Sequence, residues 1–239
     1  MLRAPMRAIA ILPSYDEAEN VLPLTADVLS RHPGIEVLVV DDNSPDGTAD
    51  LVLKAMEDEP RLHLLRRPGK LGLGTAYLAG FRYALDHGAD LILTMDCDYS
   101  HHPRYLPAVL AAMEQADMVV GSRYVPGGGV ANWPLRRRLL SRFANAYTRV
   151  LLRLPVHDCT AGFRCFRREV IERVDPFSIS SSGYSFLEEM VWRVHRHGFR
   201  IAEIPIVFED RTRGVSKIDP SEIYRAAWHV LLTALRGRF

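Results

Sequence analysis

Short hydrophobic runs alternate with more polar segments through the first half of the chain. The runs predict β-strands at residues 7–12, 35–40, 61–66, 90–95 and 117–121. The segments between them predict helices at residues 17–30, 49–57, 74–87 and 104–115. This order is typical of an α/β fold with a mostly parallel central sheet and helices on both faces.

The pattern changes after residue 121. The stretch 126–129 predicts a flexible glycine-rich loop, and a long helix is predicted at 135–154. Strands at 162–166 and 201–208 bracket a helix at 186–197, and a last helix is predicted at 221–235. We find no linker and no repeat, so we expect one domain over 1–239. It divides into a first half (1–121), a second half (122–218) and a terminal amphipathic helix (219–239).

Composition narrows the possible partners. The chain has 30 basic and 29 acidic residues, so it lacks the basic field of a nucleic-acid-binding protein. Its three cysteines have neither disulfide nor zinc spacing, which predicts reduced core residues. No apolar stretch is long enough to span a bilayer and no secretory signal is recognised, so we expect a cytoplasmic protein.

Two carboxylates follow the strand predicted at 90–95. Asp96 and Asp98 lie where open α/β sheets bind ligands. Together with substrate phosphates, such carboxylates bind Mg²⁺ or Mn²⁺. His101 and His102 lie nearby, but no third nitrogen or thiolate ligand stands at metal spacing, so zinc is disfavoured. The chain has no Gly-x-Ser-x-Gly motif and no evident Cys–His pair, so the sequence does not predict a hydrolase with an activated nucleophile.

Other polar residues also follow predicted strands. Asp16 and Asp42 do so, and we expect them at the same sheet edge as Asp96. The segment 40–48 is typical of a turn with a helix N-cap, but its two acids exceed what capping needs. Asp42 is therefore a candidate acceptor for a ribose hydroxyl or a base N–H.

Three cationic segments are candidates for phosphate binding. Lys70 lies in a glycine-containing turn before a helix, a position that suits an anion but also an ordinary solvated loop. Arg211 and Lys217 lie in a loop that suits phosphate, although an exposed charged loop would look the same. Arg123 follows the fifth strand, at the same edge.

Taken together, these motifs resemble the family 2 glycosyltransferases, and more closely the dolichyl-phosphate (polyprenyl-phosphate) mannosyltransferases. The resemblance extends from residue 9 to residue 217. It rests on the segments PSYDEAEN (13–20), DDNSPDGT (41–48), MDCDYSHHP (95–103), GSRY (121–124), DR (210–211) and SK (216–217).

The resemblance implies a GT-A fold and a GDP-mannose donor held mainly by the first half, with the acceptor site in the second. The residues that would hold the guanosine are Pro13, Tyr15, Glu17, Val40 and Asp42. Asp96 and Asp98 would bind the diphosphate and its metal, with Ser100 a further ligand. The residues that would face donor or acceptor phosphates are Arg123, Arg211, Lys217 and one of Arg136, Arg137 and Arg138.

Two positions depart from the family pattern. Cys97 stands between the two acids, where alanine is usual, and we expect the change to be tolerated within the donor site. The late helix usually carries Gln-x-Glu, of which this chain keeps only Glu189.

The implied reaction needs no catalytic base. The acceptor is a lipid monophosphate, whose second pKa of about 6 makes it anionic at neutral pH. A divalent metal and cationic side chains would offset the repulsion between acceptor and leaving GDP. A single displacement would invert the α linkage to β. The alternatives are the same fold with UDP-glucose or another nucleotide sugar, and a non-catalytic nucleotide- or lipid-binding subunit.

A lipid acceptor requires access to a membrane. On the helix from residue 135, Arg138, Arg142, Arg149 and Arg153 fall within about 60° of one another, which suits anionic headgroups or a solvated face. Apolar residues cover over half of the last helix, more than one core-facing stripe requires. We therefore expect peripheral attachment at the cytoplasmic face of the membrane, on lipid or on an integral membrane partner.

Overall fold

The computed structural model describes residues 6–179, 183–209 and 220–236; within these ranges the side chains of Tyr184, residues 220–223 and Arg236 are not described. A seven-stranded sheet has the order β3-β2-β1-β4-β7-β5-β8. Its strands are β1 (Ala8–Ser14), β2 (Ile35–Asp41), β3 (Leu62–Arg66), β4 (Leu91–Thr94), β5 (Met118–Ser122), β7 (Arg164–Arg167) and β8 (Ile201–Pro205). Strands β6 (Gly129–Ala131) and β9 (Val207–Glu209) form a separate pair.

The helices lie on both faces of the large sheet, as predicted. They are α1 (Val21–Arg31), α2 (Thr48–Ala55), α3 (Leu73–Asp86), α4 (Leu106–Ala112), α5 (Leu135–Leu152), α6 (Arg168–Val174), α7 (Tyr184–Arg196) and α8 (Pro220–Arg236). Successive residues of β1 point to opposite faces: Ile9 and Ile11 join one hydrophobic core, and Ala10 and Leu12 the other. The expected α/β architecture is confirmed.

The sheet is parallel except at β7. This strand lies antiparallel between β4 and β5, with Arg164 opposite both Thr94 and Val120. The other neighbouring pairs are parallel, and Ser14 is in register with Asp41 at the ends of β1 and β2. The carboxyl ends of β1, β2, β4 and β5 therefore point the same way, which brings the predicted strand-end residues to one edge.

Two local predictions need correction, and one helix is not predicted by the sequence pattern. The stretch predicted as loop 126–129 leads into β6, which pairs with β9. The single strand predicted at 201–208 is two strands, because buried Ile206 leaves the first sheet and its carbonyl accepts the N–H of Gly129 at 2.9 Å. Helix α6 was not predicted, since its seven residues provide too little periodicity.

All three cysteines are buried and free. Cys165 lies in β7, and Cys97 and Cys159 lie in loops. Burial raises the pKa of Cys159 to about 12, so this thiol stays protonated. The prediction of reduced core cysteines is confirmed.

A carboxylate is buried where α7 packs beside α5. Glu188 is 3 % exposed, and its Oε1 accepts a hydrogen bond of 2.9 Å from the hydroxyl of Thr148. Its Oε2 has no hydrogen-bond partner within the described part of the chain. Burial raises the pKa of Glu188 from 4.5 to about 7. The ionised form of Glu188 therefore destabilises the core, and the population of that form depends on pH.

We predict that Glu188→Gln stabilises the fold more at pH 8 than at pH 5. Since the folded pKa is raised, the native state retains a proton that the unfolded chain has lost between pH 4.5 and about 7. Wild-type stability should fall through that window, by up to about 3 kcal/mol from this residue. Urea unfolding of both proteins at the two pH values measures the difference. The exposed Glu172→Gln serves as control, and a gain for Glu188→Gln that does not change with pH would contradict the prediction.

Candidate active site

Two aspartates, buried Asp41 and exposed Asp46, connect the loops that follow β1 and β2. Asp41 is fully buried and accepts hydrogen bonds from Ser14 Oγ (3.2 Å) and from the N–H of Ser44 (3.0 Å). Asp46 accepts the N–H of Ala18 at 2.9 Å and that of Thr48 at 3.0 Å. Asp41 and Asp46 thus hold the predicted turn, whereas the N-cap of α2 is Gly47 and has no side-chain capping hydrogen bond. These contacts fix the loops beside the predicted guanosine residues.

Asp42 is paired with an arginine that sequence reasoning missed. Arg67 Nε and Nη2 donate to the two Asp42 oxygens at 2.6 and 2.7 Å, and both side chains are buried. Arg67 Nη1 also donates to Thr75 Oγ1 at 2.8 Å, which connects the pair to α3. The position of Arg67, one residue beyond β3 at the same edge, was the available signal.

Lys70 lies over the ring of Tyr15. Its Nζ is 4.8 Å from the ring centroid, within cation–π range. The backbone turns at Gly72, whose φ of +96° favours glycine, immediately before α3 begins. Two predicted donor-site residues from separate loops are therefore brought together.

Asp98 is held firmly and Asp96 is more open. Asp98 is 8 % exposed, and its Oδ1 accepts hydrogen bonds from Ser100 N (3.1 Å) and Ser100 Oγ (2.5 Å). The Asp96 side chain is 35 % exposed. Ser100, predicted as a metal ligand, thus orients Asp98 through its N–H and hydroxyl.

Cys97 points away from the two acids. It is 3 % exposed and belongs to the core that contains α1 and α4. Burial raises the pKa of its thiol well above the usual value. Its side chain therefore packs in the core, and the predicted part of Cys97 in the donor site stays a prediction.

The acid pair fits a hard divalent cation. Among the described residues, no group of three or more His, Cys, Asp or Glu side chains is arranged to hold a metal. Two aspartates at an open edge suit Mg²⁺ or Mn²⁺, which take their remaining ligands from phosphate and water. The donor set therefore fits a metal that binds together with a nucleoside diphosphate.

Arg123 is engaged inside the protein. Its Nε and Nη2 donate to the carboxylate of Asp158 at 2.7 and 2.6 Å, and Nη2 also donates to Thr160 Oγ1 at 2.7 Å. Burial of Asp158 would raise its pKa, but the charge and hydrogen bonds of Arg123 outweigh burial and lower it. The observed role of Arg123 is to fasten the end of β5 to the loop 157–162.

A second buried arginine supports the same loop. Arg164 is 1 % exposed and donates to the carbonyls of Leu187 (2.7 Å) and Cys159 (2.8 Å). Burial lowers its pKa to about 10, so it remains cationic at neutral pH. Sequence reasoning missed it, since one arginine in a strand gives no sign of its burial.

Of the three arginines at the start of α5, Arg137 packs against an aromatic ring. Its guanidinium lies 3.9 Å from the ring centroid of Trp133, and the edge of Trp133 packs against Phe208. Arg136 and Arg138 are exposed. Arg211 and Lys217 lie outside the described residues, so their predicted roles remain predictions.

The one acid retained from the family pattern in α7 joins two helices. Glu189 binds Arg193 through Oε1 (2.6 Å) and His229 of α8 through Oε2 (2.7 Å). Its place is therefore at the α7–α8 contact.

Comparisons with known proteins show the family of this chain. The model of the family "Glycosyl transferase family 2" matches residues 9–175. A polyprenol monophosphomannose synthase of Mycolicibacterium smegmatis is 45 % identical over 99 % of this chain and 90 % of its own. An undecaprenyl-phosphate mannosyltransferase of Micrococcus luteus is 43 % identical over 98 % of this chain and 96 % of its own.

Solved structures support the fold at low sequence identity. A glucosyl-3-phosphoglycerate synthase of Mycobacterium tuberculosis, solved with Mn²⁺ and UDP, is 17 % identical with a TM-score of 0.67, covering 98 % of this chain and 80 % of the other. A mannosyltransferase of Pyrobaculum calidifontis, solved with GDP-mannose and Mn²⁺, is 18 % identical with a TM-score of 0.58, covering 96 % and 73 %. The architecture is therefore GT-A, as expected. By family match and full-length identity, the chain belongs to glycosyl transferase family 2 and, within it, to the polyprenyl-phosphate mannosyltransferases.

Proposed function

We propose that this enzyme transfers mannose from GDP-mannose to a polyprenyl monophosphate and inverts the sugar linkage to β. The observation that carries the proposal is the Asp96–Asp98 pair at the open sheet edge, in a chain 43 to 45 % identical to two enzymes named for this type of product or acceptor. The divalent cation would be Mg²⁺ or Mn²⁺.

The donor would be held along the ends of β1, β2 and β4. Tyr15 with Lys70, and Asp42 with Arg67, line the side on which we place the guanosine, together with Pro13, Glu17 and Val40. Asp96 and Asp98 would hold the metal with the diphosphate. When bound, the metal supplies positive charge that stabilises the departing GDP.

The acceptor needs orientation and charge compensation. A lipid monophosphate is already nucleophilic near neutral pH, because its second pKa is about 6. Arg137, held over Trp133, is a described cation that we assign to the acceptor phosphate, and Arg211 and Lys217 are predicted from the sequence to serve the same phosphates. Attack on the anomeric carbon from the side opposite GDP breaks the sugar–phosphate bond and inverts the configuration.

The rival proposals differ in donor or in catalysis. UDP-glucose is bound in some structures with this fold, but those proteins share only 15 to 16 % identity with the chain and support the fold alone. A non-catalytic subunit would not need a buried serine-bound Asp98 beside a second aspartate. We therefore retain a catalytic role.

Helix α5 presents an apolar stripe to solvent. Leu135, Leu139, Phe143 and Val150 fall within about 80° on the helix and are each 58 to 72 % exposed. Arg142 and Arg149 border this stripe and are exposed, whereas Asn145 and Thr148 face the protein. In an ordinary surface helix the apolar residues face the core and the polar residues face solvent, so α5 has the opposite arrangement.

Helix α8 adds exposed aromatic residues beside α5. Tyr224, Trp228 and Leu235 share one face and are 49 to 79 % exposed, while Ala226 and Val230 are buried. The Tyr147 hydroxyl of α5 donates to the carbonyl of Ala227 at 3.1 Å. Since part of α8 belongs to the core, removing residues 220–239 would damage the fold as well as the exposed face.

We propose that the exposed stripe of α5 and the exposed face of α8 form a docking surface for an anionic bilayer. Among the described residues, no helix is long and apolar enough to cross a membrane. Apolar side chains bordered by arginines suit insertion among acyl chains with contact to anionic headgroups. Peripheral attachment at the cytoplasmic face would bring the enzyme to its lipid acceptor.

We predict that Asp98→Asn lowers mannose transfer at least about 100-fold without loss of fold, because it removes charge that stabilises the metal and the leaving group. Transfer of labelled mannose to polyprenyl phosphate, with mass analysis of the product, measures this. Asp58→Asn on the exposed surface is the matched control. Turnover by Asp98→Asn at the wild-type rate would reject the assignment of the acid pair.

We predict that kcat/KM is higher for GDP-mannose than for UDP-glucose, by a factor of about 100 or more. A site that hydrogen-bonds one base leaves polar groups unpaired with another. Release of GDP or UDP in the presence of polyprenyl phosphate gives both values. Equal or better use of UDP-glucose would replace the proposed donor while leaving the reaction class unchanged.

We predict that the double variant Leu139→Gln, Phe143→Gln binds anionic vesicles at least 10-fold more weakly than wild type, because each buried apolar side chain contributes about 1.5 to 3 kcal/mol. Vesicle co-sedimentation measures binding, with zwitterionic vesicles as a second arm. Leu53→Gln, at an exposed leucine of α2, is the control. Unchanged vesicle binding by the double variant would reject this docking surface and favour a membrane protein partner.

A further inference from the structure

Two buried side chains flank Asp96 at the position of Gly162. A Cβ built on Gly162 would lie 3.3 Å from three atoms: Asp96 Oδ1, His101 Cε1 and Tyr77 Oη. The carbonyl of Gly162 accepts the hydroxyl of Thr94 at 2.7 Å, which fixes this residue against the end of β4. Because glycine has no side chain, His101 and Tyr77 can lie close to the carboxylate of Asp96.

His101 holds the backbone of Asp96. Its Nδ1 accepts the Asp96 N–H at 3.0 Å and lies 3.5 Å from Asp96 Oδ2. The ring is 2 % exposed, stacks on Phe163 at 5.6 Å and receives the edge of Phe208 at 5.3 Å. A ring packed on two sides cannot rotate, so Nδ1 is a fixed acceptor beneath the loop that carries both acids.

Tyr77 faces the same carboxylate from α3. Its side chain is fully buried, with the ring stacked between Phe81 (6.4 Å) and Phe186 (6.3 Å). Its Oη makes no hydrogen bond within the described part of the chain, and a Cβ on Gly162 would lie 3.3 Å both from this oxygen and from Asp96 Oδ1. The phenol is therefore a buried hydroxyl beside Asp96 that no other described group engages.

Asp96 needs such support more than Asp98 does. Ser100 already orients Asp98 through two hydrogen bonds, whereas the Asp96 side chain is 35 % exposed. Each carboxylate must be oriented before it can bind a metal with useful affinity. Neutral partners restrict Asp96 without cancelling the negative charge that attracts the cation.

We infer that Tyr77 and His101 are positioning residues that hold Asp96 in the orientation required to bind the metal and the nucleoside diphosphate. The inference rests on the proposed function, since it assumes that Asp96 and Asp98 bind the metal. It assigns neither residue to proton transfer or to direct metal ligation.

The test is the affinity for Mn²⁺ in the presence of GDP, measured by the electron paramagnetic resonance signal of free Mn²⁺. Tyr77→Phe and His101→Ala should each weaken Mn²⁺ binding about 10-fold, the range found for residues that orient metal ligands. His101→Asn should recover most of the loss, because its side-chain oxygen can occupy the position of Nδ1. His101→Gln, whose amide reaches the position of Nε2, should not.

Tyr83→Phe is the matched control, because Tyr83 lies in the same helix but is partly exposed and stacks on His87. Thermal unfolding of each variant establishes that it is folded. Wild-type Mn²⁺ affinity in Tyr77→Phe would overturn the role of Tyr77, and equal losses in His101→Ala and His101→Asn would overturn that of His101. Wild-type affinity in Asp98→Asn would instead refute the metal assignment in the proposed function.

Discussion

The ion pair between Arg123 and Asp158 is the contact on which the geometry of the site depends. Asp158 is completely buried, and the Arg123 side chain is 9 % exposed. Burying either charge alone would cost several kcal/mol, and removing one partner from such a pair typically costs about 3 to 5 kcal/mol. Since two guanidinium nitrogens bind the two carboxylate oxygens, the pair allows one relative position of the β5 end and the loop 157–162. An arginine that follows a strand at the active edge thus serves the site through the scaffold.

The loop 157–162 connects the proposed membrane surface to the donor site. Asn145 of α5 accepts the N–H of Cys159 at 2.7 Å and donates to Thr160 Oγ1 at 3.2 Å. Two residues further, Gly162 lies against Asp96 and is bonded to Thr94. The helix with the exposed apolar stripe is therefore joined by side-chain hydrogen bonds to the loop that ends beside the acid pair. This connection suits an enzyme whose acceptor phosphate lies at a bilayer surface while its donor comes from solution.

Sequence patterns were sufficient for the parts of the fold that depend on local periodicity. The strands β1, β2 and β4 could be predicted because each is an apolar run buried on both faces, and their order placed Asp42 and Asp96 at one edge. The direction of β7 could not, because periodicity identifies a strand without fixing its neighbours. The pair β6 and β9 was missed for a related reason: three-residue strands carry no period.

Placement at the sheet edge was predictable for residues that motifs mark, and it was not predictable for residues whose only distinguishing feature is burial. Asp96, Asp98, Tyr15 and Lys70 are brought to the edge that the sequence indicated. Arg67 was missed because it follows an exposed arginine, and nothing local shows which of the two turns inward. Cys97 was assigned to the donor site from its position between two acids, although its side chain belongs to the core. Side-chain direction after a strand depends on backbone geometry that a motif does not contain.

The carboxylates at this edge receive two kinds of support. Asp42 and Asp158 each pair with a bidentate arginine, which offsets their charge and fixes the neighbouring loops. Asp98 is oriented by the hydroxyl and N–H of a serine, and Asp96 lies beside a phenol and an imidazole. Neutral neighbours do not cancel the charge of a carboxylate, so these two acids retain the field that a divalent cation requires. The reaction joins an anionic acceptor to a sugar whose leaving group is also anionic. In the proposed mechanism, the acids would hold the metal and the cationic side chains would hold the phosphates, which would offset that repulsion and make a catalytic base unnecessary.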